Sequence, residues 1–390
     1  MKILLTGGGS GGHITPLFAV AHELKQIDPD CTLIAACEKD AQFLDLFGKE
    51  PRIKKVYQIP AGKYRRYSGL SRLQKMVNIK TALLNVRDMG RTVRGVFVAR
   101  AMLKKERPDV ILIKGGFVGV PVGLAAAQLG IPYITNDSDV TPGLANRLIA
   151  RWARLHATGM PEEYYNYPKE TLRYTGVPIK QEFTRVSVER QAEYKEGLGL
   201  KNCALVISVI GGSQGGMQLN LDIAQVAGRL MQRHKSLGIV HIVGAAHEEE
   251  MKRIYANELL SDERARVVVR GFVHDPYRYT GAADVVVSRA SATVIAELAV
   301  QAKAAILVPG QLADDHQQKN ARLLMESGRA LMVPHADAEG LFEALDMLLK
   351  VPSKRTELAQ ELHKVSKQHA ARDLAELVMS VGENIKRAGR

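Results

Sequence analysis

Twice in this chain a short apolar, β-branched run breaks into a cluster of glycines and then resumes as a helical pattern. The first is "KILLT" followed by "GGGSGGHITP", Gly7 to Pro16. The second is "ALVISVI", Ala204 to Ile210, followed by "GGSQGG", Gly211 to Gly216. A glycine-rich turn between a buried strand and a helix exposes backbone N–H groups at a helix N-terminus, a site for a phosphate or another anion. That unit belongs to open parallel sheets with helices on both faces, whose ligands bind outside the carboxyl ends of the strands.

The rest of the chain repeats the alternation. Further strand candidates are "TLIAAC" (Thr32 to Cys37), "DVILI" (Asp109 to Ile113), "PYIT" (Pro132 to Thr135) and "LHATG" (Leu155 to Gly159). In the second half they are "GIVHIVG" (Gly238 to Gly244), "RVVVRGF" (Arg266 to Phe272), "DVVVS" (Asp284 to Ser288), "AAILVP" (Ala304 to Pro309) and "ALMVP" (Ala330 to Pro334). Continuous apolar strands separated by helical patterns predict α/β architecture with parallel sheets covered on both faces. The stretch between Pro178 and Ala204 is polar and lacks a strand, so two domains are expected, 1–178 and 179–352. The last stretch, 353–390, reads as helix with charges on both faces and is expected to pack back on the first domain. Two such domains would bring two strand edges to a central cleft.

At 390 residues the chain is too long for one ordinary core. No apolar run approaches the roughly 20 residues needed to span a bilayer, and "MKILLTGG" is not a signal peptide. Cys31, Cys37 and Cys203 show no metal-ligand spacing, which favours a reducing cytoplasm and no metal site. The net charge is +13, and it is concentrated. Between Pro51 and Lys105 the only acid is Asp88, against bases that include Lys63, Arg65, Arg66, Arg72, Lys75, Lys80, Arg87, Arg91, Arg94, Arg100, Lys104 and Lys105. Such a segment can be a solvated face or can meet nucleic acid, anionic lipid or an anionic substrate. With 5% aromatic residues and no stacking motif, nucleic acid ranks below a membrane surface.

The first loop contains Gly7-x-Gly9-x-x-Gly12, the dinucleotide fingerprint, and Glu38 ends the second strand where a ribose-binding acid would stand. The fingerprint does not ask for His13, however. An imidazole there places a titratable group at the start of a helix, or else simply packs the turn.

Five stretches then match one family in order: "TGGGSGGHITPLFAVAHEL", "PDVILIKGGFVGVPVGLAAAQLGIP", "VIGGSQGG", "AADVVVSRASATVIAELA" and "DDHQQKNARLLMESGRA". They resemble the MurG-type transferases, lipid-linked N-acetylglucosaminyltransferases of peptidoglycan synthesis. The resemblance covers most of the chain. It implies the GT-B fold, with two Rossmann-like doubly wound domains, the acceptor side first and the UDP-sugar side second, and no metal or other cofactor. On the donor side it implies that Gly212, Ser213 and Gln214 hold the diphosphate, with Lys180 nearby where the family usually has arginine. It also implies that the backbone at Val273 reads the uracil, and that Glu297 accepts from the ribose beside Ala292, Thr293 and Val294. His316 and Gln317 would touch the sugar hydroxyls. On the acceptor side His13 is the candidate base; Ser10, Gly11 and Gly12 precede it and complete the set of donor-binding candidates.

Two stretches depart from the family pattern. The family's "HEQN" is replaced by "NDSD", Asn136 to Asp139, and its "AGLP" by "AKAA", Ala302 to Ala305. Asp139 therefore stands beside His13 as a second candidate for the base. The resemblance implies inverting transfer of N-acetylglucosamine from UDP-N-acetylglucosamine to undecaprenyl-diphosphate-linked N-acetylmuramoyl-pentapeptide. The enzyme would be peripheral on the inner face of the cell membrane, docked through the basic segment 63–105. The rivals are a glycolipid synthase with another lipid acceptor, a UDP-sugar epimerase, an NAD enzyme and a non-enzymatic nucleotide-binding module.

Overall fold

The computed structural model describes residues 1–8, 11–39, 44–62, 79–212, 216–311 and 315–388. The chain divides into two compact units, Met1–Lys180 with His369–Arg390, and Gln181–Gln368.

The first unit is built on seven strands: β1 (Lys2–Thr6), β2 (Thr32–Glu38), β3 (Ile53–Ile59), β4 (Val110–Ile113), β5 (Tyr133–Asp137), β6 (Leu155–Thr158) and β7 (Leu172–Tyr174). They pair in the order β3-β2-β1-β4-β5-β6-β7, and every pairing is parallel. Alternate residues of β1 enter opposite cores. Ile3 and Leu5 pack with the helix Gly11–Ile27, while Leu4 packs with the helices Ile79–Glu106 and Gly119–Gln128. With both faces covered, the strand needs apolar residues at every position, and "KILLT" supplies them.

The second unit repeats the plan with six parallel strands: β8 (Leu205–Ile210), β9 (Leu237–Ile242), β10 (Val267–Arg270), β11 (Val285–Ser288), β12 (Ala304–Leu307) and β13 (Leu331–Met332). Their order is β10-β9-β8-β11-β12-β13. In both sheets the third, second and first strands run outward from one side of the centre and the fourth, fifth and sixth from the other. This is the doubly wound order, whose direction reverses between the first and fourth strands.

The two edge strands of the first sheet, β3 and β7, carry no continuous apolar run. Lys54 and Lys55 of β3 are exposed and only Ile53 and Ile59 are buried. The tail also differs from the sequence expectation, because it does not return as one piece. The helix Pro352–His363 stays with the second unit, where Leu358 and Leu362 enter its cores. Only the helix Ala370–Ala388 packs on the first unit. Its Leu374, Ala375, Val378 and Val381 recur at helical spacing and bury against the helix Gly11–Ile27 and β4.

The helix Ile79–Glu106 has two unlike faces. Asp88, Thr92, Gly95, Ala99 and Met102 point inward, spaced by three or four residues. On the opposite side Val86, Met89, Val93 and Phe97 are 62%, 54%, 53% and 68% exposed, flanked by exposed Arg87, Arg91, Arg94, Arg100, Lys104 and Lys105. Asp88 is buried and pairs with Arg87 at 3.2 Å and with Arg91 at 3.9 Å, so a single carboxylate is set against the six bases of the outer face.

Candidate active site

In the first unit the loops after β1 and β4 meet where the strand order reverses. Gly115 and Gly116 have φ of +99° and +78°. A Cβ on Gly116 would lie 2.3 Å from the Gly8 carbonyl oxygen. Glycine alone meets both the left-handed backbone and that approach. His13 stands in the first turn of the helix Gly11–Ile27. Its Cε1 lies 3.7 Å from the place a Cβ on Gly115 would occupy, and both terminal side-chain atoms of Asn146 lie at the same distance from it. His13, Gly115 and Asn146, far apart in sequence, thus surround one spot.

Behind that spot is a buried polar network. Asp137, the last residue of β5, accepts from Asn146 Nδ2 at 2.9 Å, from the Gly143 N–H at 3.0 Å and from the Tyr167 hydroxyl at 3.0 Å. Burial pushes its carboxyl up, and these three bonds oppose that. Asn146 Nδ2 also donates to the Asn136 carbonyl at 3.1 Å. The side-chain oxygens of Asn136 and Asn146 are buried and accept no hydrogen bond among the described residues. Tyr167 stacks on His156 with centroids 3.8 Å apart. Burial pulls His156 down to about 4, so it is a neutral packing residue.

Lys114 directly follows β4 and is 3% exposed. It donates to Ser138 Oγ and faces Asp139 and Asp137. Burial pulls its ammonium down to about 8, and the two carboxylates oppose the shift. Asp139 lies two residues past β5, and its carbonyl accepts from the Tyr165 hydroxyl at 2.8 Å. Asp137 and Asp139 stand two residues apart at this strand end, and the buried lysine faces both. Lys114, Asp137 and Asn146 escaped sequence reasoning, because each reads locally as an ordinary loop or strand-end residue.

In the second unit the loop after β8 leads through Gly211 and Gly212, with φ of +87° at Gly212, to Gly216 at the start of the helix Met217–Arg233. Arg289, one residue past β11, lies beside it. A Cβ on Gly216 would lie 2.8 Å from the Arg289 guanidinium, and one on Gly310 would lie 1.6 Å from it. The guanidinium therefore fills the gap between Gly216, at the start of the helix Met217–Arg233, and the loop after β12, at this sheet's reversal point. Arg289 escaped notice within "SRASATV", although an arginine at a strand end beside a glycine loop is the residue type an anion site calls for.

The other donor candidates sit on the same carboxyl edge. Ser291 caps the helix Ala292–Gln301 by accepting from the Val294 N–H at 3.4 Å, so Ala292, Thr293 and Val294 form the first turn. Glu297 on this helix is 9% exposed, which excludes a plain surface acid. Val273 lies in the loop after β10. His316 opens the helix His316–Glu326. Gln317 is committed in part, since its Oε1 accepts from the Gly310 N–H at 2.8 Å and from Arg289 Nε at 3.4 Å. Asn220, in the second turn of the helix Met217–Arg233, donates to the Val243 carbonyl at 2.9 Å and lies 3.1 Å from His241 Nε2. Burial pulls His241 down to about 3, so it too is neutral. Lys180 is the last residue of the first unit, and Gly11 and Gly12 open the helix that carries His13. Ser10, Ser213 and Gln214 lie outside the described residues, as does 63–78 of the basic segment. Among the described residues no cluster of three or more His, Cys, Asp and Glu could hold a metal ion, and no helix is long and apolar enough to cross a membrane.

Two doubly wound parallel units, each with a glycine loop at its reversal point, make up the GT-B fold. Residues 3–158 match the glycosyltransferase family 28 N-terminal domain and residues 206–378 the family 28 C-terminal domain. The chain belongs to glycosyltransferase family 28. It is 30% identical over 364 residues, 92% of its own length and 94% of the other's, to the UDP-N-acetylglucosamine–N-acetylmuramyl-(pentapeptide) pyrophosphoryl-undecaprenol N-acetylglucosamine transferase of Desulfitobacterium hafniense strain Y51. Among solved structures it resembles Acinetobacter baumannii MurG, with a TM-score of 0.71 and 22% identity over 97% of this chain and 99% of that one. The Neisseria meningitidis UDP-GlcNAc 2-epimerase shares the fold, with a TM-score of 0.64, 13% identity, and 97% and 100% of the two chains covered.

Proposed function

We propose that this chain transfers N-acetylglucosamine, with inversion, from UDP-N-acetylglucosamine to undecaprenyl-diphosphate-linked N-acetylmuramoyl-pentapeptide, converting lipid I to lipid II. One observation carries the reading: within a single family 28 chain, a histidine stands at the first reversal point and an arginine-backed glycine loop at the second. In this reading the second unit holds the donor. Its diphosphate lies on the N–H groups of the loop from Gly211 to Gly216 and receives the charge of Arg289, a combination that binds phosphate without a cation. Glu297 accepts from the ribose, the backbone at Val273 reads the base, and His316 and the Gln317 amide nitrogen meet the sugar.

The acceptor hydroxyl oxygen attacks the anomeric carbon as His13 takes its proton. The bond from that carbon to the β-phosphate oxygen breaks, and its electron pair leaves with UDP. The charge growing on UDP is met by donors already in place, so the second unit stabilises the transition state as well as the ground state. Release of UDP from UDP-N-acetylglucosamine should depend on added lipid I or a short-chain analogue. Acceptor-independent release with formation of the 2-epimer would replace this reading with the epimerase one, and release with diacylglycerol alone would replace it with a glycolipid synthase.

The outer face of the helix Ile79–Glu106 supports docking on the anionic cytoplasmic membrane surface. Its apolar stripe and six flanking bases match the pattern of an interfacial helix. Each base near such a surface contributes about 1 kcal/mol. The triple variant Phe97→Ser, Arg94→Glu, Arg100→Glu is expected to lose at least about tenfold in affinity for vesicles containing phosphatidylglycerol. High salt should weaken the parent in the same direction. Turnover of a short, water-soluble acceptor should persist in the variant; equal loss on soluble and membrane-bound acceptors would assign this face to the fold or to catalysis.

A further inference from the structure

The cation at the acceptor-side loop is unusual in its placement. Lys114 is 3% exposed, directly beneath the first glycine loop: a Cβ on Gly7 would lie 3.3 Å from Lys114 Cβ and 3.1 Å from the His13 carbonyl oxygen. A lysine in that position bears a desolvation cost that a methionine or leucine of similar volume would not. The surrounding sheet interior is apolar, with Ile113 and Val118 fully buried on either side of the loop. Packing therefore does not explain the choice of residue. What the ammonium touches does. It donates to Ser138 Oγ and faces the carboxylates of Asp137 and Asp139. Those two acids differ in their other partners. Asp137 is held by Asn146, Gly143 and Tyr167. The turn that carries Asp139 is tied down by the Lys114 bond to Ser138 and by the Tyr165 hydroxyl on the Asp139 carbonyl.

We propose that Lys114 is a positioning residue for transfer to the acceptor: its buried ammonium pins the turn at Ser138 and so fixes the place of Asp139 at the carboxyl edge of the sheet. The proposal rests on the transferase reading above and adds a residue to it. It also gives the departure "NDSD" a physical sense. Asp137, buried at the end of β5, carries a desolvation cost, and the lysine from the adjacent strand end opposes that cost and also faces the half-buried Asp139. The titratable groups that face this ammonium or its partners are Asp137 and Asp139 from β5 and its turn, His13 from the helix Gly11–Ile27, and Tyr165 and Tyr167 from the segment after β6. Both tyrosines are pushed well above their ordinary range by burial, so they stay protonated.

The sign of the pH effect follows. Lys114 is charged below about 8 and neutral above it, so turnover with the acceptor should fall as pH rises through about 8. K114R, which stays charged at any working pH, should lack that fall. At pH 7, K114M should lower kcat by on the order of tenfold to 100-fold, the scale of a displaced reacting group. The KM for UDP-N-acetylglucosamine should not change, and thermal unfolding should confirm that the variant is folded. The double variant K114M/D139N should be no worse than D139N alone, because the lysine acts through that carboxylate. If K114M does not fold, S138A, which removes only the hydroxyl that the ammonium holds, reads the same pH limb. A K114M enzyme with parental kcat, losses that multiply in the double variant, or an alkaline limb that persists in K114R would each overturn the proposal. A parent enzyme that transfers no sugar to lipid I would overturn the function reading itself, a separate outcome.

Discussion

His13→Ala is expected to lower turnover by roughly 100-fold or more, the scale for losing a general base. UDP affinity, measured by calorimetry, should barely change, because Gly211, Gly212, Arg289, Glu297 and Val273, which the reading assigns to the nucleotide, belong to the other unit. The side chain contributes little to the core. It is half-buried in the first turn of its helix, and the fully buried neighbours Ile14 and Leu17 carry the packing, so the variant should unfold near the parent temperature. Asp139 sets the contrast. If the carboxylate is the base, His13→Ala is mild and Asp139→Asn severe. If His13 is the base and Asp139 orients the hydroxyl, both variants are slow and His13→Ala is the slower. A parental rate in His13→Ala would remove the imidazole from the chemistry.

The second large effect is on the donor. Arg289→Ala should weaken UDP binding by roughly 10- to 100-fold, the range for losing hydrogen bonds from a charged donor to phosphate. Arg289→Lys should recover only part of it, since a point charge lacks the planar fork that spans Gly216 and Gly310. Unchanged affinity in a folded Arg289→Ala protein would make the guanidinium a packing element between two loops and leave the diphosphate to backbone N–H groups alone.

The inner strands were legible because both faces of each sheet are covered. A strand in that position needs an apolar side chain at every residue, and the result is a local signal: "KILLT", "DVILI", "ALVISVI" and "DVVVS" each coincide with a strand of the structure. The two glycine loops were legible for a similar reason. A phosphate-sized turn between strand and helix writes itself in consecutive glycines. The edge strands of the first sheet, β3 and β7, were not, and in β3 the exposed Lys54 and Lys55 interrupt the apolar run, whereas the second sheet's edge strands β10 and β13 coincide with "RVVVRGF" and "ALMVP".

The sites divide along the same line. His13 and Glu297 belong to short motifs and could be singled out from them. Arg289 acquires its meaning from Gly216 and Gly310, and Lys114 from Asp137 and Asp139, partners contributed by other strands of the same sheet. The tail behaved likewise. The sequence read 353–390 as one helical stretch on the first domain, and its division between two cores was decided by the tertiary fit of Leu358 and Leu362 in one unit and Leu374 and Val378 in the other. By itself the sequence determined the periodicity of the elements, the parallel class of both sheets and the places of the two glycine loops, all products of local burial and backbone geometry. Which side chains meet across neighbouring strands was decided only by the tertiary structure, because strand order and register bring together residues whose pairing leaves no mark on the residues adjacent to them in the chain.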